Sequence, residues 1–521
     1  MSMTLEKLEL LSDLSTEQLL LAGGDARLAV DHVTGLNKYG CASQPDVSLA
    51  AFGSSTGSTI SEHGYAAAHN LHKRLLELDS DLSESDLYHH ELERIRHELN
   101  RLNGIDYHHA GATIFAASGT DLHLICSQLL ADSRPGQPPL HIIMMDACET
   151  GSGVAPAVRG QHFSGNAALG GKVVAMETLA GANPVVVSSI ALRNSDGSKR
   201  TLDEIDAETE QLIQASLADG QRVLLIMIDV SKTGLIAPAP HYVAALRQRY
   251  PDQVDVLVDA CQFRLSGATL NAYLQKGCMV AMTGSKFLTG PVFSGVLQIP
   301  SRLVPRLSQK KLPASMADYS ARAEWPQHWQ AVHALSDQVN WGLLLRLEAA
   351  LAELRAFRAI PETRVSAFLE RFCAAVQQAL QTSPHFLLMA ESRLDRSPIC
   401  SRTSWDQIPT IFPFLLLHQS GQPLTRAQTQ QIYQQLQFAL PLSSAGNLSP
   451  AIAALRCQLG QPVLCGTHAG TDVSALRLCA SSRLIVEACK NQNAEADTEE
   501  HVIQRAMQVL EKASSLIRKL C

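Results

Sequence analysis

Apolar positions along this chain fall into two recurring patterns. Short, mainly aliphatic runs lie at 112–116, 141–145, 185–190, 223–228, 254–258 and 279–282. Runs of that length between polar turns read as buried strands. Longer stretches with helical spacing lie at 1–30, 64–78, 81–102 and 202–217. Strands alternating with helices from about residue 60 to 300 predict an α/β domain: a mostly parallel sheet with helices on both faces. Beyond Pro300 the pattern changes. Residues 302–313 are basic and loop-like, and 340–357 is a Leu- and Ala-rich helix. Strands at 386–389, 411–417 and 475–480, with helices at 426–436 and 498–520, predict a smaller α+β C-terminal domain. The expected division is an N-terminal segment 1–60, a large domain 61–335, and a bridging helix with the small domain 336–521.

Composition narrows the function classes. Apolar residues make up 46% and charged residues 18%, values of a soluble globular chain. A net charge of −7 argues against nucleic-acid binding. No run approaches the roughly 18 apolar residues that span a bilayer. The first residues carry Glu6, Lys7, Glu9 and Asp13, unlike a signal peptide. The 12 cysteines are scattered without a C-x-x-C pair, which predicts buried thiols in a reducing cytoplasm and no structural metal.

Two strand ends carry the chemistry. The run 254–258 ends in Asp259, with Gln262 three residues on. The run 279–282 ends in Thr283-Gly284-Ser285-Lys286. In an open α/β sheet, ligands sit at the carboxyl ends of the strands. A lysine amine there can form a Schiff base with an aldehyde cofactor, and an acid can partner a pyridine nitrogen. Thr283 and Ser285 could hold phosphate oxygens. From these residues alone, a surface lysine in a turn with Asp259 capping a helix reads equally well.

Asp259-Ala-Cys-Gln262, then Thr283-Gly-Ser-Lys286-Phe-Leu-Thr-Gly290-Pro291, resembles the fold-type I pyridoxal-phosphate enzymes, in particular the class V aminotransferase and cysteine desulfurase group. That group carries Asp-x-x-Gln, Ser-x-His-Lys and Gly-Pro. The resemblance implies the PLP-dependent transferase fold with a seven-stranded type of sheet, and pyridoxal 5'-phosphate as cofactor. Lys286 would then carry the cofactor, Asp259 face its ring nitrogen and Gln262 its hydroxyl. Thr283 and Ser285 would hold its phosphate, with Ser285 standing where the family has histidine.

Three further segments are similar to family motifs. Ser118-Gly119-Thr120 opens a helix, where backbone N–H groups bind phosphate, although Ser118 or Thr120 would serve equally as a plain cap. It resembles the family phosphate loop, one residue shorter, which implies Gly119 and Thr120 as cofactor contacts. Glu149-Thr150 stands where the family has Glu-His; Thr150 cannot stack on a ring as imidazole does. Residues 229–238 resemble a family loop in which Ser231 replaces an asparagine that contacts the cofactor hydroxyl. Phe52 and the Gly-, Ser- and Thr-rich run 53–59 suggest a loop entering the site. Finally, Arg477 sits inside an apolar strand, where an arginine needs a partner. The alternatives are a protein acid or, as the resemblance implies, the substrate's α-carboxylate.

The implied function is action at the α-carbon or side chain of an amino acid, as a lyase or aminotransferase. A cysteine desulfurase or selenocysteine lyase is the alternative; it needs a mobile cysteine, and residues 442–447 contain none, although Cys457 and Cys465 lie nearby. A cofactor-free structural or regulatory homologue is the second alternative. The resemblance also implies a homodimer. Its partner loop would lie within 302–330, whose Arg306, Lys310, Lys311 and Arg322 could complete the phosphate site.

Overall fold

The computed structural model describes residues 9–78, 82–105, 110–131, 136, 138–389, 393–400, 403–441, 448–489 and 495–520. The strands among them are β1 (Leu49–Phe52), β2 (Ala110–Ala116), β3 (Leu140–Met145), β4 (Val185–Ile190), β5 (Val223–Asp229), β6 (Ile236–Ala237), β7 (Val254–Ala260), β8 (Met279–Thr283), β9 (Gly295–Pro300), β10 (Phe386–Leu388), β11 (Ile411–Leu416), β12 (Arg456–His468) and β13 (Thr471–Cys479).

The larger sheet runs β2-β9-β8-β7-β5-β3-β4, with the two-residue β6 paired on β5. Strands β4, β3, β5, β7 and β8 are parallel; β9 is antiparallel to both β8 and β2. This is the mostly parallel sheet expected. Every residue of β3, β5, β7 and β8 is buried, so these strands read as near-continuous apolar runs. Asp255, a buried carboxylate near the start of β7, is met by Arg222 at 2.8 Å and Arg306 at 2.6 Å. Two antiparallel steps bring β2 back into the direction of β7 and β8. The residues that follow β2, β7 and β8 therefore emerge at one edge.

The smaller sheet runs β1-β12-β13-β11-β10. Its first strand comes from the N-terminal segment: β1 lies parallel to β12, with Leu49 opposite Arg456 and Phe52 opposite Leu459. The bridging helix Trp341–Arg358 is buried along nearly its whole length. From it, Arg346 donates to the carbonyls of Phe293 at 2.7 Å, Leu20 at 3.0 Å and Gly23 at 2.6 Å. One guanidinium thus fastens the start of the chain to the loop before β9. The helix Glu362–Thr382 follows.

The continuous helix expected over 1–30 is not what forms among the described residues. Glu9–Asp13 and Thr16–Leu20 are separate short helices, followed by a single turn at Ala26–Leu28. Ser15 starts a new helix with a capping box to Gln18, and Gly23 at φ +64° turns the chain away. The stretch 302–313 also differs from a plain loop, beginning with the short helix Val304–Leu307. Among the described residues no helix is long and apolar enough to cross a membrane.

Candidate active site

A cavity of about 280 Å³ opens at the shared strand edge. Lys286, Asp259, Gln262, Thr283, Ser285, Gly119, Thr120, Thr150, Ser231 and Arg477 all line it. The elements that deliver them are β2, β3, β5, β7, β8 and β13, so residues scattered over 359 positions converge on one space.

Lys286 follows β8. Its ammonium donates to the carbonyl of Thr56 and lies 5.6 Å from the centre of the Tyr39 ring. It meets no carboxylate among the described residues. Burial, with Arg477 and Lys232 adding to it, pushes its pKa down to about 8. Such an amine gives up its proton far more readily than an ordinary lysine.

Asp259, at the end of β7, accepts the Cys261 N–H at 3.1 Å and lies 3.3 Å from His123 Nε2. Burial works against its charge, but His123 and the hydrogen bonds from Cys261 together outweigh burial and hold the carboxyl below its ordinary range. His123 in turn donates from Nδ1 to the Gly119 carbonyl at 2.7 Å, which leaves Nε2 facing the acid. The same carboxylate holds its imidazole above the usual histidine value against burial. His123 escaped the sequence reading. Its signal was available, four residues beyond Gly119 on the helix Gly119–Leu130 and so one turn along the same face.

The hydroxyls cluster at one end. Ser285 donates to Thr283 at 3.2 Å, and Thr283 donates to the Cys261 carbonyl at 2.7 Å. Across from them the helix Gly119–Leu130 begins, capped by Ser118. A Cβ on Gly119 would meet Cys261 Sγ at 2.8 Å, so any side chain there would have to push that thiol aside. Arg27, also missed by the sequence reading, reaches this end from the N-terminal segment. It donates to Thr120 Oγ1 and Ser118 Oγ at 3.1 Å each, while Asp25 grips it from behind at 2.7 Å. Burial opposes its charge, yet Tyr39 and Asp25 hold it protonated, above the ordinary guanidinium value.

Two expected cofactor contacts turn elsewhere. Ser231 donates to Glu149 Oε2 at 2.7 Å, and Thr233 donates to the same carboxylate from its N–H at 3.1 Å and its hydroxyl at 2.7 Å. Arg193 closes the cluster at 3.3 Å. Gln262 donates to the Ser55 carbonyl at 3.0 Å. Thr150 lines the wall with only a long contact to the Asp146 carbonyl at 3.4 Å. The 53–59 run does enter the cavity, where Ser55 and Thr56 lie buried.

Arg477 is 2% exposed and no described acid pairs with it. It donates to Thr56 Oγ1 at 2.9 Å, to the Lys232 carbonyl at 3.3 Å and to the Gln461 carbonyl, and its Nε has no partner. Gly460 faces it across the β12–β13 ladder; a Cβ there would lie 2.9 Å from Nε. The basic residues expected of a partner loop are partly committed within the chain: Arg306 to Asp255, and Arg322 to Asp337 at 3.2 Å.

No protein-family model matches the chain, and no curated protein matches its sequence. Solved structures match its fold. The cystine C-S lyase C-DES, with glycine covalently linked to its PLP cofactor, is 17% identical over 88% of this chain and 99% of its own, at a TM-score of 0.51. A NifS-like protein from Rickettsia africae is 11% identical over 89% and 99%, at 0.50. TDC from Oryza sativa, solved with PLP, is 12% identical over 90% and 83%, at 0.50. At such identities the likeness is one of fold. The fold that the 259–291 motif implied is the fold of this chain.

Proposed function

We propose that this cavity holds pyridoxal 5'-phosphate and acts on an amino acid, as a lyase or aminotransferase. The observation that carries the reading is Lys286 and Asp259 at the ends of adjacent strands in one cavity, the lysine without an acid partner and the acid fixed by His123. The donor set suits the cofactor: a cationic, hydroxyl-rich end for a phosphate, an acid for a ring nitrogen, and an amine between them. Thr283, Ser285, Thr120, the Gly119 N–H and Arg27 would hold the phosphate. Gln262 and Ser231 would border the ring hydroxyl, and Thr150 one ring face. Bound there, the cofactor supplies an aldehyde for imine formation and an electron sink for the substrate's α-carbon.

The chain's own residues do the rest. Lys286, with its lowered pKa, would present its amine to the cofactor's aldehyde, and the same amine would take or return a proton at the substrate's α-carbon. Asp259, held ionised by His123, would face the ring nitrogen and favour its protonated form. Arg477 takes the substrate carboxylate in place of the neutral partners it now has. Thr56, between Lys286 and Arg477, sets their spacing.

The fold likeness covers a cystine C-S lyase and a NifS-like protein alike and so does not separate elimination from desulfuration; the two thiols that the sequence offered for desulfuration are poorly placed for it. Cys457 and Cys465 are buried in β12 with pKa values raised by burial, and buried thiols are poor nucleophiles. Residues 442–447 lie outside the described residues. A homodimer is part of the proposal, since fold relatives are expected to complete their sites across a two-fold axis; sedimentation tests it. The deciding experiment is borohydride reduction followed by mass mapping. A pyridoxyl group on Lys286 is expected; label on another lysine, or a colourless protein that takes none, refutes the reading.

A further inference from the structure

The charges around the cavity do not balance for a substrate with a single carboxylate. Both acids that line it are already met: Asp259 by His123 at 3.3 Å and Glu149 by Arg193 at 3.3 Å. Arg27 has Asp25 and faces the phosphate end. Lys286 becomes committed to the cofactor. Of the three cations that remain, Lys38 is exposed to solvent, which leaves Arg477 and Lys232, and neither pairs with an acid among the described residues.

These two are built as a unit. Arg477 donates to the backbone carbonyl of Lys232 at 3.3 Å. The Lys232 N–H donates to the Glu149 carbonyl at 3.0 Å, and its neighbours Ser231 and Thr233 both bond the Glu149 carboxylate. The loop is therefore pinned on both sides of Lys232, and its ammonium reaches only the Cys148 carbonyl at 3.2 Å. Val230, just before it, is held at φ +62°, a costly backbone for a β-branched residue. Fixing a lysine this firmly beside a buried arginine places like charges together in a low-dielectric pocket, which costs free energy until an anion arrives. An α-carboxylate neutralises one of them.

We propose that the site selects amino acids whose side chain ends in a second acidic group, with Arg477 on the α-carboxylate and Lys232 on the side-chain acid. The inference rests on the pyridoxal-phosphate reading and narrows it to a substrate class. It also gives the Glu149 cluster a task. Ser231 and Glu149 position Lys232.

The test uses the cofactor-loaded protein and the shift of its visible band on titration with matched pairs: aspartate against asparagine, glutamate against glutamine. At least one acid should bind more tightly than its amide by about 10- to 100-fold, the worth of one hydrogen bond to a charged group. Lys232→Met should bring that ratio to about 1, and Ser231→Ala should lower it in part. Arg477→Met should weaken acid and amide alike. Equal affinity for acid and amide in the wild-type protein overturns the proposal whether or not any variant folds. A coloured protein labelled on Lys286 but indifferent to side-chain charge sinks this inference alone. A colourless, unlabelled protein sinks the cofactor reading and this inference with it.

Discussion

Arg396 and Arg477 are both buried to 2% exposure or less, and their surroundings differ in one respect. Arg396 makes a two-pronged pair with Asp229 at the end of β5, at 2.7 Å for each prong. Tyr273 donates to the same carboxylate at 2.6 Å, and the Asp406 carbonyl takes another Arg396 donor at 2.6 Å. Arg477 has only neutral partners and one donor nitrogen with none. Similar desolvation is offset by an acid in one place and left open in the other. The closed pair holds the end of β5, in the larger sheet, to the segment that leads to β11 in the smaller one. An open cation in a cavity is poised for a ligand.

The largest effect expected in the open region is from Lys286→Ala. Turnover should fall about 10⁴-fold, the upper range for losing a positioned acid–base group, and borohydride should fix no pyridoxyl group. In the closed region, Asp229→Ala should cost about 3–5 kcal/mol, because it strands Arg396 as a buried charge. Arg477→Met should cost no more than about 1 kcal/mol in the same urea titration, since it removes a charge that nothing in the protein repays. If the two variants lose equal stability, the comparison between the arginines fails.

Asp259→Asn should lower turnover about 10²–10³-fold, the scale of losing one preorganised electrostatic partner, while cofactor affinity changes less. Equal losses would mark Asp259 as structural. Arg27→Met should weaken cofactor rebinding to the apoprotein by about 10- to 100-fold, read by fluorescence titration, if its guanidinium holds the phosphate. The smallest effect is on pH dependence. Lys286 titrates at about 8 in the folded apoprotein against an ordinary 10.5. Between those values the unfolded chain binds more protons, so its stability should rise with pH across that window. Lys286→Met should flatten the rise; an unchanged slope would mean the amine is not desolvated.

How legible each part was in the sequence follows from how local its cause is. Strands β7 and β8 announce themselves because both faces are buried and, Asp255 apart, their polar residues wait until the strand end. β12 was not anticipated. Its sequence, with Gln458, Gly460, Gln461 and Pro462, breaks any alternation, and its ladder with β13 is irregular between Gly460 and Val463. The helix Glu362–Thr382 was readable but unread: Val365, Phe368, Leu369, Phe372, Val376 and Leu380 keep a helical period. Arg27 left no local trace. It meets Ser118 across 91 positions of sequence, from a turn that looks like any other. Gln262 and Ser231 were found by motif, but a motif carries position and says little about which neighbour a side chain prefers.

The pairing of β1 with β12 has a consequence for how the chain is made. Leu49 meets Arg456 only after some four hundred intervening residues have left the ribosome. The second sheet therefore cannot be completed during most of synthesis, and β12 exposes an unpaired edge until its distant neighbour docks. Contacts this remote in sequence form slowly. The arriving strand leads directly into the 53–59 loop, which carries Thr56 into its place between Lys286 and Arg477. A closed cavity is thus one of the last features the nascent chain acquires, and severing the first 60 residues would remove a wall of the cavity together with an edge of the sheet.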